Sequence, residues 1–247
     1  GISCNAPGRF VTSFGASTGR FRYDGGNRQF ANSNSVGVNG SIGHPIGIAG
    51  LLGVSASWSE ASFPNQINLL TGETVKNEFV TVGGFLRYRL GPFLSVSGSL
   101  GWSEITSNSP FQPGFDGLSW SLAANYSSGR LGATLSFGRS VSGGDGRFAN
   151  AAVIDSITAV VSYRAGPNLS LNAGYGRQER DNRSNPQIPP EFVGADTTVD
   201  RLFASARTRL LRIIAASLNV NYVTRSSNRT AFDTDATTIS LTLGTSF

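Results

Sequence analysis

Two adjacent stretches decide the fold: residues 80–90 read VTVGGFLRYRL, and residues 94–103 read LSVSGSLGWS. In the first stretch apolar side chains occupy the even positions from Val80 to Leu90, and in the second they alternate with serine and glycine. Successive side chains of a β-strand point to opposite faces, so a period of two gives each strand one apolar face and one polar face. The helical period of 3.6 fits neither stretch. Both are therefore predicted to be β-strands.

The same alternation recurs along the whole chain and predicts about twelve strands in an all-β, antiparallel fold. The predicted strands cover residues 9–23, 35–43, 48–59, 78–90, 93–104, 118–127, 131–139, 153–164, 169–177, 198–210, 213–225 and 237–247. The first of them is irregular, because Phe10 and Phe14 share one parity whereas Phe21 and Tyr23 share the other. Either a bulge within residues 15–19 or an early end of the strand would explain this change of parity.

The connections between these strands alternate in length. Short links at residues 44–47, 91–92, 128–130, 165–168 and 211–212 take turns with long ones such as 60–77, 105–117 and 178–197. Short turns at one end and long loops at the other are the pattern of outer-membrane β-barrels, in which the short turns are periplasmic. We therefore expect a transmembrane barrel over residues 9–247, a short periplasmic segment at residues 1–8, and both termini in the periplasm.

The composition favours a membrane barrel over a soluble β-sandwich. Charged residues make up only 14% of the 247 residues, whereas the solvent-exposed faces of soluble sheets usually carry many lysines and glutamates. No stretch approaches the roughly 18 consecutive apolar residues of a membrane-spanning helix. Aromatic residues also cluster near the ends of the predicted strands, as in interfacial girdles: Trp58, Trp102, Trp120 and Tyr175 near the long loops, and Tyr88, Tyr126, Tyr163 and Phe247 near the short turns.

The last predicted strand ends in residues 239–247, ISLTLGTSF. Alternate apolar residues with a terminal aromatic resemble the C-terminal signal of outer-membrane barrels, although Thr245 stands where that signal often has an aromatic residue. The resemblance implies an outer-membrane location, contact with outer-membrane lipid and lipopolysaccharide, and recognition by the assembly machinery. The residues that would form the signal are Ile239, Leu241, Leu243 and Phe247.

Arginines without nearby carboxylates accumulate toward the short turns, whereas the acidic residues lie in or near the long loops. Because the apolar face must meet lipid, the parity of five of these arginines predicts that they line the lumen. They are Arg87, Arg89, Arg164, Arg207 and Arg209. Guanidinium groups in a confined pore would attract anions. The alternative is that these arginines serve assembly, contact lipid headgroups, or dock a periplasmic or lumenal protein partner.

The sequence contains no recognisable catalytic, cofactor-binding or metal-binding motif. His44 is the only histidine, is placed in a predicted short turn, and has no serine two residues after it, so neither a lipase-like nor a protease-like site is expected. Cys4 is the only cysteine, which excludes an internal disulfide and leaves a bystander thiol or a bond to a partner. Asp233 and Asp235 supply too few oxygens for Ca²⁺. No nucleic-acid-binding motif is present, despite a formal net charge of +5.

These features predict a porin-like channel, not an enzyme, for small and preferentially anionic solutes or acidic oligosaccharides. In strand number and basic lumen the chain is similar to the small arginine-lined porins for acidic sugars. Two alternatives from another class are a structural barrel that anchors or sheathes a partner in an outer-membrane assembly, and a conduit for polymer export.

Overall fold

The alternating pattern folds into thirteen β-strands in one antiparallel sheet whose order follows the chain. The computed structural model describes residues 2–5, 10–22, 32–68, 71–109, 114–143, 151–183, 195–211, 214–229, 231 and 233–245. The strands are β1 (Ile2–Asn5), β2 (Val11–Phe21), β3 (Ser33–Ile46), β4 (Gly50–Ile67), β5 (Thr74–Leu90), β6 (Leu94–Ser107), β7 (Phe115–Ser127), β8 (Leu131–Gly143), β9 (Ala151–Arg164), β10 (Leu169–Arg183), β11 (Thr197–Leu211), β12 (Ile214–Ser227) and β13 (Thr234–Thr245).

The predicted fold class is confirmed: strands β2 to β13 correspond one to one with the twelve predicted strands. At the short turns the observed strand ends lie close to the predicted ones. At the opposite end several strands are longer, and β4 continues to Ile67, beyond the predicted end at residue 59. These extensions pair with their neighbours although their apolar alternation has faded, because a strand that leaves the lipid no longer needs an apolar face.

The change of parity in the first long strand does not come from a bulge, and β2 ends at Phe21, two residues before the predicted end at residue 23. β2 pairs with β3 from Val11↔Gly43 to Phe21↔Ser33 without a shift of register, so no bulge is present. Phe14 and Phe21 therefore lie on opposite faces of the sheet. Tyr23, which shares the parity of Phe21 in the sequence, lies outside the described residues.

The short connections all lie at one end of the sheet, because consecutive strands run in opposite directions. Gly47 (φ 60°) and Gly91 (φ 78°) adopt left-handed backbone conformations in two of these turns, where glycine avoids the penalty of a Cβ atom. The connections at the other end are longer, as predicted. We call these two ends the short-turn end and the long-loop end.

The pairing register separates two faces. Val82, Trp102 and Leu118 are successive partners on β5, β6 and β7 and lie on what we call the apolar face. Gly83, Gly101 and Ser119 form the adjacent row on the other side, the polar face. Every described strand from β2 to β13 continues these two faces across the sheet.

The apolar face is uncovered by protein. Val54 is 57% exposed and Leu100 is 59% exposed, although both are in the middle of long strands. A soluble sandwich would pack a second sheet on such a face, and the described residues form only one sheet. The apolar face is therefore the surface that would meet lipid. No helix within the described ranges is long and apolar enough to cross a membrane.

Strands β1 and β13 form the two edges of the sheet in the part of the chain that the structure describes. β1, which falls within the predicted N-terminal segment 1–8, pairs with β2 only along Val11–Phe14. The exposed fractions of Ile239, Leu241 and Leu243 on β13 are 68%, 69% and 67%, higher than those of apolar residues in central strands. This difference is expected for an edge strand with one neighbour.

The protein-buried apolar residues in the described ranges lie at the long-loop end of the polar face. Phe63 on β4 pairs with Val75 on β5, and they are 9% and 4% exposed. Ile105 on β6, 3% exposed, lies on the same face. Among the described residues only this face carries buried apolar side chains, so the polar face is the inner one at this end.

Candidate functional site

On β5, β6 and β7 the middle of the polar face carries small hydroxyl and glycine residues, several of which contact one another across strands. Ser103 Oγ is within 3.0 Å of Thr81 Oγ1 on one side and donates to Ser119 Oγ at 3.0 Å on the other. Ser99 Oγ and Ser121 Oγ form a similar contact of 2.7 Å. Such pairs stabilise neighbouring strands and leave a hydrophilic surface with little side-chain volume.

The register places all five predicted lumen arginines on the polar face. On β5, Arg87 pairs with Ser97 and Arg89 pairs with Ser95 of the neighbouring β6. On β10, Ser170 is the register partner of Arg164 on β9 and of Arg207 on β11. Their role in a pore remains a prediction.

The five arginines form two groups and do not make one ring. Arg164, Arg207 and Arg209 line one depression of about 370 Å³ at the short-turn end of β9 to β11. Arg87 and Arg89 line a separate depression of about 480 Å³ near the turn between β3 and β4. Strands β5 and β11 are six positions apart in the sheet, so the two groups lie on different parts of the wall.

Three further arginines on the polar face escaped the sequence analysis. Arg201 shares the parity of Arg207 on β11, and Arg225 on β12 is the partner of Val199 on that same face. Both could have been found by extending the parity argument beyond the short-turn half of the strands. Arg180 lies past the predicted end of its strand at residue 177, so only the longer observed β10 places it on this face.

Carboxylates on the described strands all lie on the apolar face. For example, Glu104 and Asp116 are direct partners there, next to the row of Trp102 and Leu118. The full set comprises Glu60, Glu78, Glu104, Asp116, Asp155, Glu179, Asp181, Asp200 and Asp235. Among strand residues with described side chains, the charged groups of the polar face are therefore all arginines.

The ion pairs found in the described ranges also belong to the apolar face. Arg139 of β8 binds Asp155 of β9 with two contacts of 2.7 Å, from Nε to Oδ1 and from Nη2 to Oδ2. Arg177 contacts Glu179 at 2.5 Å, and the other pair joins Lys76 and Glu60 at 3.6 Å. These pairs lie toward the long-loop ends of the strands, where a charged group on the lipid side costs least.

Other residues singled out in the sequence are placed as follows. His44 lies in β3 and not in a turn as predicted, because the pairing of β3 with β4 continues to Ile46↔Gly50. Its ring is 5.3 Å from that of Phe10, centroid to centroid. Within the described ranges, no three His, Cys, Asp or Glu side chains lie close enough together to hold a metal ion. Cys4 lies in β1.

The predicted assembly signal is partly covered by the structure. Ile239, Leu241 and Leu243 lie on the apolar face of β13, opposite Val220, Leu218 and Ala216 of β12. The terminal aromatic of the signal, Phe247, lies outside the described residues.

No protein-family model matches the chain. No curated protein matches it either. Solved structures do resemble it, among them the FrpB iron transporter from Neisseria meningitidis, with a TM-score of 0.64 and 12% sequence identity over 88% of this chain and 41% of that one. A mutant ferric enterobactin receptor (PfeA) from Pseudomonas aeruginosa in complex with enterobactin has a TM-score of 0.56 and 13% identity, over 97% of this chain and 43% of that one.

The copper transporter OprC has a TM-score of 0.56 and 10% identity, over 88% of this chain and 42% of that one. The chain thus spans about two fifths of the length of these structures. At such low identity the likeness concerns the fold alone. The fold is that of the outer-membrane β-barrels.

Proposed function

We propose that this chain forms an outer-membrane channel that passes small solutes and prefers anions. The observation that carries the proposal is the separation of charge across the sheet. Arginines are the charged residues of the polar face on the described strands, and the strand carboxylates all lie on the apolar face. With the apolar face in lipid, the lumen would be lined by uncompensated positive charge.

Such a wall favours anions for two physical reasons. A pore with low-dielectric walls focuses the field of its fixed charges, which raises the local concentration of counter-ions. Guanidinium groups also present paired donors that match the oxygens of carboxylates and phosphates. The serine and glycine residues between the arginines occupy little volume, and a barrel of twelve or thirteen strands would enclose a wider interior than the filled barrels of eight strands.

Acidic oligosaccharides are the extended form of the proposed substrate class. β11 carries arginines at positions 201, 207 and 209 on its polar face, so positive charge recurs over about 26 Å of wall at roughly 3.3 Å per residue. An extended polyanion could contact several of these groups in succession. A small anion would meet them one at a time.

The location and partners belong to the same proposal. The exposed apolar face and the fold support insertion in an outer membrane, with the short-turn end and both termini on the periplasmic side. Lipid, lipopolysaccharide and the assembly machinery would then be the partners of the apolar face and of β13. We propose no catalytic activity and no cofactor. A structural barrel around a lumenal partner, or a polymer-export conduit, is the competing function.

The test is reconstitution of the purified protein into planar bilayers under a salt gradient. The wild type should show a reversal potential on the anion-selective side, and this potential should shrink at high salt, because the Debye length falls from about 10 Å at 0.1 M to about 3 Å at 1 M. Replacing Arg87, Arg89, Arg207 and Arg209 with serine should reduce or abolish the preference. Replacing Arg177 on the apolar face with glutamine is the control and should leave it unchanged.

Absence of any current from folded, inserted wild-type protein would overturn the channel and leave the structural alternative. A current without anion preference would retain a channel but remove the role of the arginines.

A further inference from the structure

Phe203 of β11 lies against the inner wall over a glycine of the next strand. Gly174 of β10 is its direct partner and is buried. A Cβ atom added to Gly174 would approach the Cζ and Cε1 atoms of Phe203 to 2.5 and 2.6 Å, so a larger residue at this position would displace the ring. The pair Gly174–Phe203 therefore sets an aromatic ring on the polar face.

Arg201 lies two residues before Phe203 on the same face of β11. It contacts one residue of its own strand and one of the neighbouring strand β12. Its Cζ atom lies 5.8 Å from the centroid of the Phe203 ring, within the range of a cation–π contact. Its Nε donates a hydrogen bond of 2.6 Å to Oδ1 of Asn221 on β12. The ring restrains one side of the guanidinium and the amide restrains one edge, and the terminal nitrogens have no acceptor among the described residues.

A second positive charge lies nearby. Val223 of β12 is the direct partner of Arg201, and Arg225 follows two residues later on the same face. Diagonal neighbours of this kind are about 7–8 Å apart along the sheet. No described strand carboxylate shares this face, so nothing on the wall neutralises the pair.

We propose that Arg201, Phe203 and Asn221 form a discrete binding site for an oxyanion, a carboxylate or phosphate group, on the inner wall. The inference rests on the proposed function and assigns one binding site within the channel to named residues. Free arginine side chains lose conformational freedom when they bind a ligand, and a guanidinium already fixed by a ring and an amide loses less. Its terminal nitrogens supply the two parallel donors that a bidentate oxyanion needs.

Arg87 provides an internal comparison. Its Cζ atom lies 5.4 Å from the centroid of Phe85, and that ring lies over Gly53, where an added Cβ would come within 2.6 Å of Cζ. The stack is thus repeated on β5. Arg87 differs from Arg201 because it has no amide partner among the described residues, so its guanidinium is restrained by the ring alone. We assign the binding site to Arg201 for this reason.

The first test uses the folded wild-type protein in bilayers with inorganic phosphate as the probe. Phosphate should block the chloride current in a saturable manner. Phe203→Leu should raise the half-blocking phosphate concentration by about two- to fivefold, the effect expected for loss of a cation–π contact at an exposed site. Arg201→Lys keeps the charge but loses the paired donors. It should raise the half-blocking concentration by about tenfold with little change in reversal potential. Arg87→Lys is the matched control and should have a smaller effect.

A second measurement separates this site from the channel function. Phosphate binding to the protein in detergent micelles, measured by calorimetry, should give one saturable site in the wild type and a weakened one in Arg201→Lys. If the protein passes no current yet binds phosphate through Arg201, the channel fails and the site stands. Equal binding in the wild type, Phe203→Leu and Arg201→Lys, with folding verified by heat modifiability, would overturn the site.

Discussion

Arg164 of β9 and Arg207 of β11 lie in one row of the sheet, on either side of Ser170, which is the register partner of both. Two strand spacings of about 4.8 Å put their backbones about 10 Å apart, and both side chains line the same depression. Among the described strand residues no carboxylate of that face compensates them.

The uncompensated pair of Arg164 and Arg207 predicts that one substitution will affect stability and anion selectivity differently. Replacing Arg164 with serine removes one of the two facing charges, so resistance to unfolding by urea should stay the same or rise, because repulsion is relieved. The anion preference, measured as a reversal potential in a salt gradient, should fall. Serine at Arg139 is the contrast, since that arginine binds Asp155 on the other face and its loss should lower stability. Loss of stability without loss of selectivity in the Arg164 variant would contradict the assignment.

The bidentate pair of Arg139 and Asp155 predicts a measurable contribution to stability in the membrane. Both side chains are partly exposed, at 45% and 38%, so Asp155→Asn should cost only about 0.5–1 kcal/mol in unfolding from lipid vesicles. A double-mutant cycle with Arg139→Gln should recover this coupling. Asp116→Asn serves as the control: its direct partner is Glu104, so relief of like charge should leave stability unchanged or higher. Equal losses in Asp155→Asn and in the control Asp116→Asn would show that the ion pair is not the cause.

The alternation of connections predicts the orientation in the membrane. In a background with Cys4 replaced by serine, a cysteine at Ser109 in a long connection should react with an impermeant thiol reagent on intact cells. Cysteines at Gly129 and Gly166 in the short turns should stay unlabelled until the outer membrane is opened. A Cβ atom added to either glycine would meet nothing within 4 Å beyond the adjacent residues, so the substitutions should not disturb folding. The reverse labelling pattern would invert the orientation.

The edge position of β13 predicts that another strand covers it in the membrane. An unpaired backbone group in hydrocarbon costs several kcal/mol, so an open edge cannot persist there. With thirteen antiparallel strands, β1 and β13 run in the same direction, so an antiparallel neighbour of β13 must run in the direction of β2. Hydrogen exchange in lipid should protect all amides of β13 as strongly as those of β12. Rapid exchange of alternate β13 amides would show an open edge.

The terminal aromatic residue predicts an effect on assembly that differs from an effect on the finished fold. Deleting Phe247 should lower the yield of heat-modifiable protein inserted in cells, because the alternation that resembles the assembly signal then ends at Leu243. Refolding of the purified variant into synthetic vesicles, where no machinery is present, should be much less affected. An unchanged yield in cells would mean that the resemblance has no functional consequence.

The sequence by itself determined the fold class, the number of long strands and their approximate bounds. The reason is that a sheet with lipid on one side and polar groups on the other must alternate apolar and polar residues, and residues 80–90 and 94–103 show that period directly. Parity also placed Arg87 and Arg207 on the polar face, because a strand offers only two sides. Where lipid no longer imposed the pattern, as beyond residue 59 of β4, the predicted bounds ended too early.

Only the tertiary structure decided which residues on different strands meet. Strand register brings Arg164 and Arg207 to either side of Ser170. It also divides the five predicted lumen arginines into two groups. The same register lays Phe203 over Gly174 and carries Asn221 to Arg201 across separate strands. These contacts depend on the offset between neighbouring strands, and alternation within one strand carries no information about that offset.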